Sequence, residues 1–316
     1  VEEAVAKTAG LGDNFYIGGY DLSGDVASLE RISGGPALID VTAINQSASS
    51  RIGGLRDGDM QFTTHFNNSP AASTPSVPAS TVAQANQYAN AVLVTITGGT
   101  MTNVSVNGST VGTGAGTYVL PALGSITMTY TVAPTWAWTA VGGEHNVLSV
   151  LPRADEIASY LRGTALGNPA ACVNGKQINY DPTRANTGAL TTKVEVQASG
   201  FGLEWGIQVT AGLRTDTTAT TGAAYDLGAG STFGAQAYLQ LVEFAGTSVD
   251  VKVTHATTSG GSYTTLIDFG ALTAIGAVRG SAAGTVNEFL KITTTGTFTY
   301  AVFSVVFMQN QSAVAF

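Results

Sequence analysis

Residues 51–67, RIGGLRDGDMQFTTHFN, constrain this chain more than any other stretch. Met60, Phe62, Thr64 and Phe66 alternate with Gln61, Thr63, His65 and Asn67. A period of two is the mark of a β-strand with one buried and one solvated face. Ahead of it, Gly53-Gly54 and Arg56-Asp57-Gly58 read as tight turns, so the stretch predicts a β-hairpin entered through a glycine-rich corner. The pattern positions no nucleophile, acid or metal ligand. On residue types alone its role is structural.

Composition extends the same reading. At 316 residues the chain exceeds one ordinary core, and two or three domains are expected. Charged residues are 11%, against roughly 25% in ordinary globular proteins. With 39 glycines and abundant Thr, Ser, Ala and Val, the mix favours strands and turns over helix. So few charges also leave surface that copies of the chain can bury against one another. The net charge of −8 opposes a grip on nucleic-acid phosphates, although DNA could slide past such a surface. Cys172 is the only cysteine, which excludes an intrachain disulfide and a cysteine-built zinc site. The longest apolar run, near Val305 to Met308, falls far short of the roughly 20 residues that span a bilayer. The first residues, VEEAVAKTAG, begin with acids and have no apolar centre, unlike a signal peptide.

Taken in order, residues 1 to about 12 read as an arm, followed by an aromatic strand in DNFYIGGYDLSGD and a second strand over Ala37 to Ile44. Residues 69–90 hold three prolines and no charge and read as an extended linker. Residues 91–139 carry short alternating runs (Val92-Val94-Ile96, Val104-Val106, Ile126 to Val132) and an Asn107-Gly108 hairpin turn, which predicts an immunoglobulin-like sandwich inserted into a larger domain. Leu151, Ala154, Ile157, Ala158 and Leu161 fall at helical spacing, with Pro152, Asp155 and Glu156 suited to the first turn and Gly163 to a stop. Residues 190–198, LTTKVEVQA, alternate as a strand. From about Tyr225 the runs at 238–241, 249–253, 289–292 and 301–307 predict a C-terminal sandwich or jelly roll. The expected organisation is therefore a discontinuous domain over 1–68 and 140–224, a linker over 69–90, an insert over 91–139 and a C-terminal domain over 225–316.

No constellation predicts catalysis. His65, His145 and His255 lie in different segments with no metal-ligand spacing, no GxSxG occurs, and Asp155 and Glu156 are adjacent on the expected helix and do not face each other. Gly112-Thr-Gly114-Ala-Gly116 lacks the following helix of a phosphate loop. Trp136 and Trp138 share one side of a strand; they are either the core of the small sandwich or an outward aromatic surface that stacks on sugars. No enzyme, cofactor or metal is expected.

Several stretches together resemble the major tail (tail tube) proteins of long-tailed, siphovirus-type phages, particularly those of actinobacterial hosts. They are GLGDNFYIGGYDLSGDV at 10–26, IDVTAINQSASSRIGGLRDGDMQFTTHFN at 39–67, LPRADEIASYLRGTALGNPAACVNGKQINYDPTR at 151–184, GFGLEWGIQVTAGLRTDTTATTGAAYDLG at 200–228 and the C-terminal segment to about 310. The resemblance implies a mainly β fold: a barrel-forming tail-tube sandwich with one flanking helix, carrying the insert and the C-terminal sandwich outward as decoration. It further implies a virion protein assembled in the host cytoplasm, whose hexameric rings stack around a tape-measure protein, meet terminator and distal tail proteins, and later pass DNA through the lumen. On that reading Arg51, Arg56, Asp57, Met60, Phe62 and Phe66 are candidates for contacts between subunits. The alternative is a stand-alone β-sandwich adhesin or carbohydrate-binding protein, which need not form tubes; weak contact with host-surface glycans fits either.

Overall fold

The computed structural model describes residues 12–67, 74–87, 91–121, 124–140, 143–150, 155–184, 186 and 188–312. The chain is mainly β, as its composition predicts. A tight hairpin of β1 (Asn14–Ile17) and β2 (Tyr20–Asp21) precedes a long one of β3 (Val26–Asp40) and β4 (Arg51–His65). Seven strands follow in the insert: β5 (Ala83–Ala85), β6 (Val92–Thr97), β7 (Thr100–Val106), β8 (Ser109–Gly112), β9 (Gly116–Leu120), β10 (Ser125–Val132) and β11 (Thr135–Ala140). After the short helix α1 (Glu144–Leu148) come β12 (Glu156–Leu161), β13 (Pro169–Arg184), β14 (Leu190–Ala198), β15 (Glu204–Gln208), β16 (Arg214–Asp216) and β17 (Tyr225–Asp226). The chain closes on β18 (Ala235–Ala256), β19 (Thr264–Leu272), β20 (Gly276–Ala282) and β21 (Phe289–Gln309).

Fourteen of these strands share one continuous sheet that bends around three apolar cores. Strand β13 carries the first bend: its first half lies between β12 and β15, and its second half pairs with β14, which leads on to β4 and β3. The two leaves close face to face, so Phe15 on β1 meets Phe62 on β4 with ring centroids 4.4 Å apart. Met60, Val194, Val196, Ala171 and Val173 complete this first core, and Val147 and Leu148 of α1 join it. Strands β18 and β21 pair over nearly their whole lengths and fold over a second core of Leu239, Leu241, Val251, Phe303, Val305 and Phe307. Alternate residues of the same strands (Tyr238, Val242, Tyr300, Val302, Val306) face the other way, into a third core shared with Tyr16, Ile157, Leu161 and Cys172. Sheet pairing also crosses the expected start of the C-terminal domain, because β15 and β16 both bond to β21.

The insert forms its own two sheets, ordered β5-β10-β7-β8 and β11-β6-β9. Its ends meet: the His145 amide donates to the Asn67 carbonyl at 3.3 Å. From Phe66 to Gly143 there is no Asp, Glu, Lys, Arg or His. Residues 74–87, within the expected linker, are laid along this sandwich rather than leading to it. Trp136 Nε1 donates to the Pro75 carbonyl, Tyr130 Oη to Pro78, and the Tyr130 amide to Ser80 Oγ.

Two expectations are overturned. Residues 156–161, expected in a helix, form strand β12 at the middle of a sheet, paired with β1 and β13; residues 151–154 of the expected helix lie outside the described residues. Ile157, Ala158, Ser159 and Leu161 are all buried because both faces of β12 are covered, and a run buried on both faces has no period to separate strand from helix. Among the described residues the helix that does form is α1, one short turn at the end of the first core. Likewise, Gly53-Gly54 and Arg56-Asp57-Gly58 make no turns. Strand β4 runs straight through them from Arg51 to His65, and the reversal lies at residues 41–50. Glycine is needed at 58 for close approach, since a Cβ there would stand 2.4 Å from Leu203 Cβ and 2.8 Å from the Ser33 carbonyl oxygen.

Candidate assembly surface

The β3–β4 hairpin outruns the core that supports it. Leu203 packs over the paired Gly34 and Gly58, and beyond that point nearly every residue is exposed. About 20 Å of two-stranded ribbon projects from there to the tip. Its side chains are nonetheless apolar: Leu38 is 69% exposed, Leu55 is 89% exposed, and Ile39, Val41, Ile44 and Ile52 accompany them. The tip is ordered by its own hydrogen bonds. The Val41 amide donates to the Ser50 carbonyl at 2.9 Å, the Ser50 amide donates to Thr42 Oγ1 at 2.8 Å, and the Thr42 amide donates to Asp40 Oδ1 at 2.9 Å. The Thr42 hydroxyl and amide hold the Asp40 carboxyl below its usual range. An ordered arm with unpaired apolar side chains is a surface built to be covered.

The sheet that carries the arm ends on an open edge, since β3 pairs with β4 alone among the described strands. A 15-residue edge offers another chain a row of unpaired backbone groups. Its solvent face is laced with both signs of charge: Arg31 Nε lies 2.6 Å from Asp59 and its Nη2 3.6 Å from Glu195, while Lys193 Nζ lies 2.9 Å from Glu30. The Thr63 hydroxyl also donates to Glu30, and these contacts hold its carboxyl below the usual range, the Thr63 bond contributing most.

A buried ionic knot anchors the base of the arm to the rest of the molecule. Glu204 accepts from Tyr238 Oη at 2.6 Å and from Arg279 Nε and Nη2 at 3.1 and 3.2 Å, and Arg56 Nη2 adds a contact of 3.3 Å. The Arg279 guanidinium also lies 3.8 Å over the Phe201 ring. Burial, and then the Glu204 charge, push the Tyr238 hydroxyl upward, so it stays a donor. The knot was not visible in sequence because its members are spread from 56 to 279.

The residues singled out from sequence separate into two groups. Arg51 is exposed at the outer end of β4 and Asp57 on the arm's flank, whereas Arg56 pairs with Glu204 of its own chain. Met60 and Phe62 are fully buried in the first core, because the alternation that marks the strand also turns them inward. They are not available for contacts between copies. Phe66 is half-buried, 4.8 Å from the His145 ring. Trp136 and Trp138 are not an outward aromatic surface. They are buried and meet edge to face at 5.4 Å inside the insert. The apolar arm residues at 38–44, 52 and 55 were missed, although an alternating run interrupted by glycines was the signal for a long exposed strand.

His145 Nδ1 lies 2.8 Å from Tyr180 Oη, and His255 Nδ1 accepts from the Asn287 amide at 3.1 Å. Among the described residues no three His, Cys, Asp or Glu side chains gather as a metal site, and no helix is long and apolar enough to cross a membrane.

No protein-family model matches the chain, and no curated protein matches it. Among solved structures, the SPP1 Dit protein, described as a paradigm of the hub adsorption apparatus in Gram-positive infecting phages, aligns over 94% of this chain and 99% of its own with 8% identity and a TM-score of 0.28. Streptomyces albus HEPD with 2-hydroxyethylphosphonate and Fe(II) bound aligns over 90% and 78% with 9% identity and a TM-score of 0.17. At these scores neither likeness bears on what the chain does.

Proposed function

We propose that this chain is a structural, non-enzymatic subunit of a phage tail, which polymerises as stacked hexameric rings into the tail tube. The observation that carries the reading is the apolar arm. A solvated two-stranded ribbon bearing Leu38, Ile39, Ile44, Ile52 and Leu55 has no rationale in a monomer and a direct one in an assembly, where a neighbouring copy covers it. The open β3 edge supports the same reading, because ring closure removes an unpaired edge. So do the sequence stretches that resemble tail tube proteins. In the assembled tail the rings enclose a tape-measure protein, end on terminator and distal tail proteins, and let DNA through a lumen whose charges do not hold phosphate.

The test is negative-stain electron microscopy of the purified protein at rising concentration, beside the arm variant Ile44→Asp/Leu55→Asp. Wild type is expected to give rings or hollow tubes. The variant should stay monomeric with an unchanged melting temperature, since neither residue touches a core. Wild-type particles that remain monomeric at every concentration, or tubes that survive the double substitution, would overturn the reading.

A further inference from the structure

A surface cleft in the C-terminal segment shares Gln311 with the smaller pocket that Arg56 and Glu204 line at the base of the arm. It encloses about 440 Å³, the lower end of the range for small-ligand sites. Its floor is the backbone bridge between Ser231 and Val286, whose amides and carbonyls exchange bonds of 2.9 and 2.7 Å. Gly230 lets the two segments approach, since a Cβ there would stand 2.8 Å from the Val286 carbonyl oxygen. Phe233 stands at the rim with 42% of its surface exposed. Thr257, Thr285, Asn287, Glu288 and Gln311 line the remainder.

Two features point to a ligand class. First, an exposed aromatic ring stands in the lining on a pinned backbone. The Phe233 amide donates to Ser231 Oγ at 3.1 Å and its carbonyl accepts from Asn310 Nδ2 at 3.1 Å. Ser231 Oγ in turn donates to the Asn310 carbonyl at 2.5 Å. Second, the facing groups are hydroxyls, amides and one carboxylate, with no cation in the lining. Such a lining cannot neutralise a phosphate or carboxylate ligand, and it is too polar for an apolar one. It matches a ligand with an apolar C–H face and a ring of hydroxyls around its edge.

We infer that this cleft binds a neutral saccharide of one or two residues, with Phe233 stacked on the sugar's C–H face and Asn287 and Glu288 bonded to its hydroxyls. The inference does not depend on assembly, and copies held in a tube would repeat the cleft on every subunit.

The test is saturation-transfer difference NMR on the full chain with glucose, galactose, N-acetylglucosamine, cellobiose and chitobiose at millimolar concentration. At least one sugar is expected to receive saturation at its ring C–H protons. That signal should fall at least fivefold in Phe233→Ala and in Asn287→Ala, and should persist in Trp205→Ala, which removes an exposed aromatic elsewhere. Thermal melts keep unfolding distinct from lost binding. Should Phe233→Ala fail to fold, Phe233→Leu, which keeps the apolar bulk without the ring, gives the same readout. No transfer to any of the five sugars, or transfer undiminished in folded Phe233 and Asn287 variants, would overturn the inference. Light scattering on the same samples reports assembly separately, so the two conclusions fail independently.

Discussion

At the scale of single residues, two carboxylates decide how the protein responds to substitution and to pH. Glu204 sits with almost no exposure among Tyr238, Arg279 and Arg56. Removing one member of a buried pair strands the other charge, so Glu204→Gln should cost about 3 kcal/mol in urea unfolding. For the same reason Arg56→Glu would set two carboxylates side by side and weaken the protomer itself. It is therefore a poor probe of assembly. Glu243 is the second case. Burial, opposed by the neighbouring Tyr300 hydroxyl and reinforced by Asp21, pushes its carboxyl from 4.5 up to about 7, and its Oε2 has no hydrogen-bond partner. The folded state thus holds this proton more tightly than the unfolded chain. Its stabilising effect is complete below about pH 4.5 and is lost as pH rises to about 7. Glu243→Gln should remove that slope and leave the variant about 1–3 kcal/mol more stable than wild type at pH 8, as measured by denaturant titration at both pH values.

At the scale of elements, the arm depends on what happens where it leaves the core. Gly58 is paired with Gly34, and Leu203 lies across both. Two of the atoms that a Cβ at 58 would strike, the Leu203 nitrogen at 2.7 Å and the Ser33 oxygen at 2.8 Å, belong to the backbone and cannot rotate away. Gly58→Val should therefore cost about 1–3 kcal/mol and be seen as a lowered Tm. Much of the element pattern was legible in the sequence. Strand β14 spans 190–198 as its alternation predicts, and Asn107 and Gly108 both adopt positive φ in the turn between β7 and β8, as an Asn-Gly pair does. The β12 run was not legible as a strand, because a segment covered on both faces loses the periodicity that identifies it.

At the scale of the whole molecule, the insert is both separable in sequence and joined in packing. Asn67 and His145 touch, so residues 69–142 can be excised and bridged by a short linker without moving either end. Yet β9 touches β18 and β8 touches β21, and the insert's Val94, Tyr118 and Trp138 belong to the same apolar cluster as Tyr238, Tyr300 and Val306. Excision should therefore lower Tm and expose surface that binds the dye ANS, whereas a purely tethered decoration would leave both unchanged. A thermal melt with and without the dye decides between them.

What the sequence determined by itself is what neighbouring residues encode: a β-rich chain, the period-two strands, the Asn-Gly turn and an uncharged block looped out of a charged body. Which face of each strand meets water was decided only in three dimensions. Gln236 and Gln240 share one face of β18 with Tyr238, opposite Ala237, Leu239 and Leu241, and their amides would suit a face turned to solvent. Instead both are buried, and Gln240 accepts from the Gly19 amide and donates to the Ile157 carbonyl and Ser159 Oγ at 2.8–3.0 Å. The saccharide cleft and the Glu204 knot arise in the same way, from segments far apart in the chain. Periodicity is a local property, whereas burial depends on which distant surface arrives to cover it.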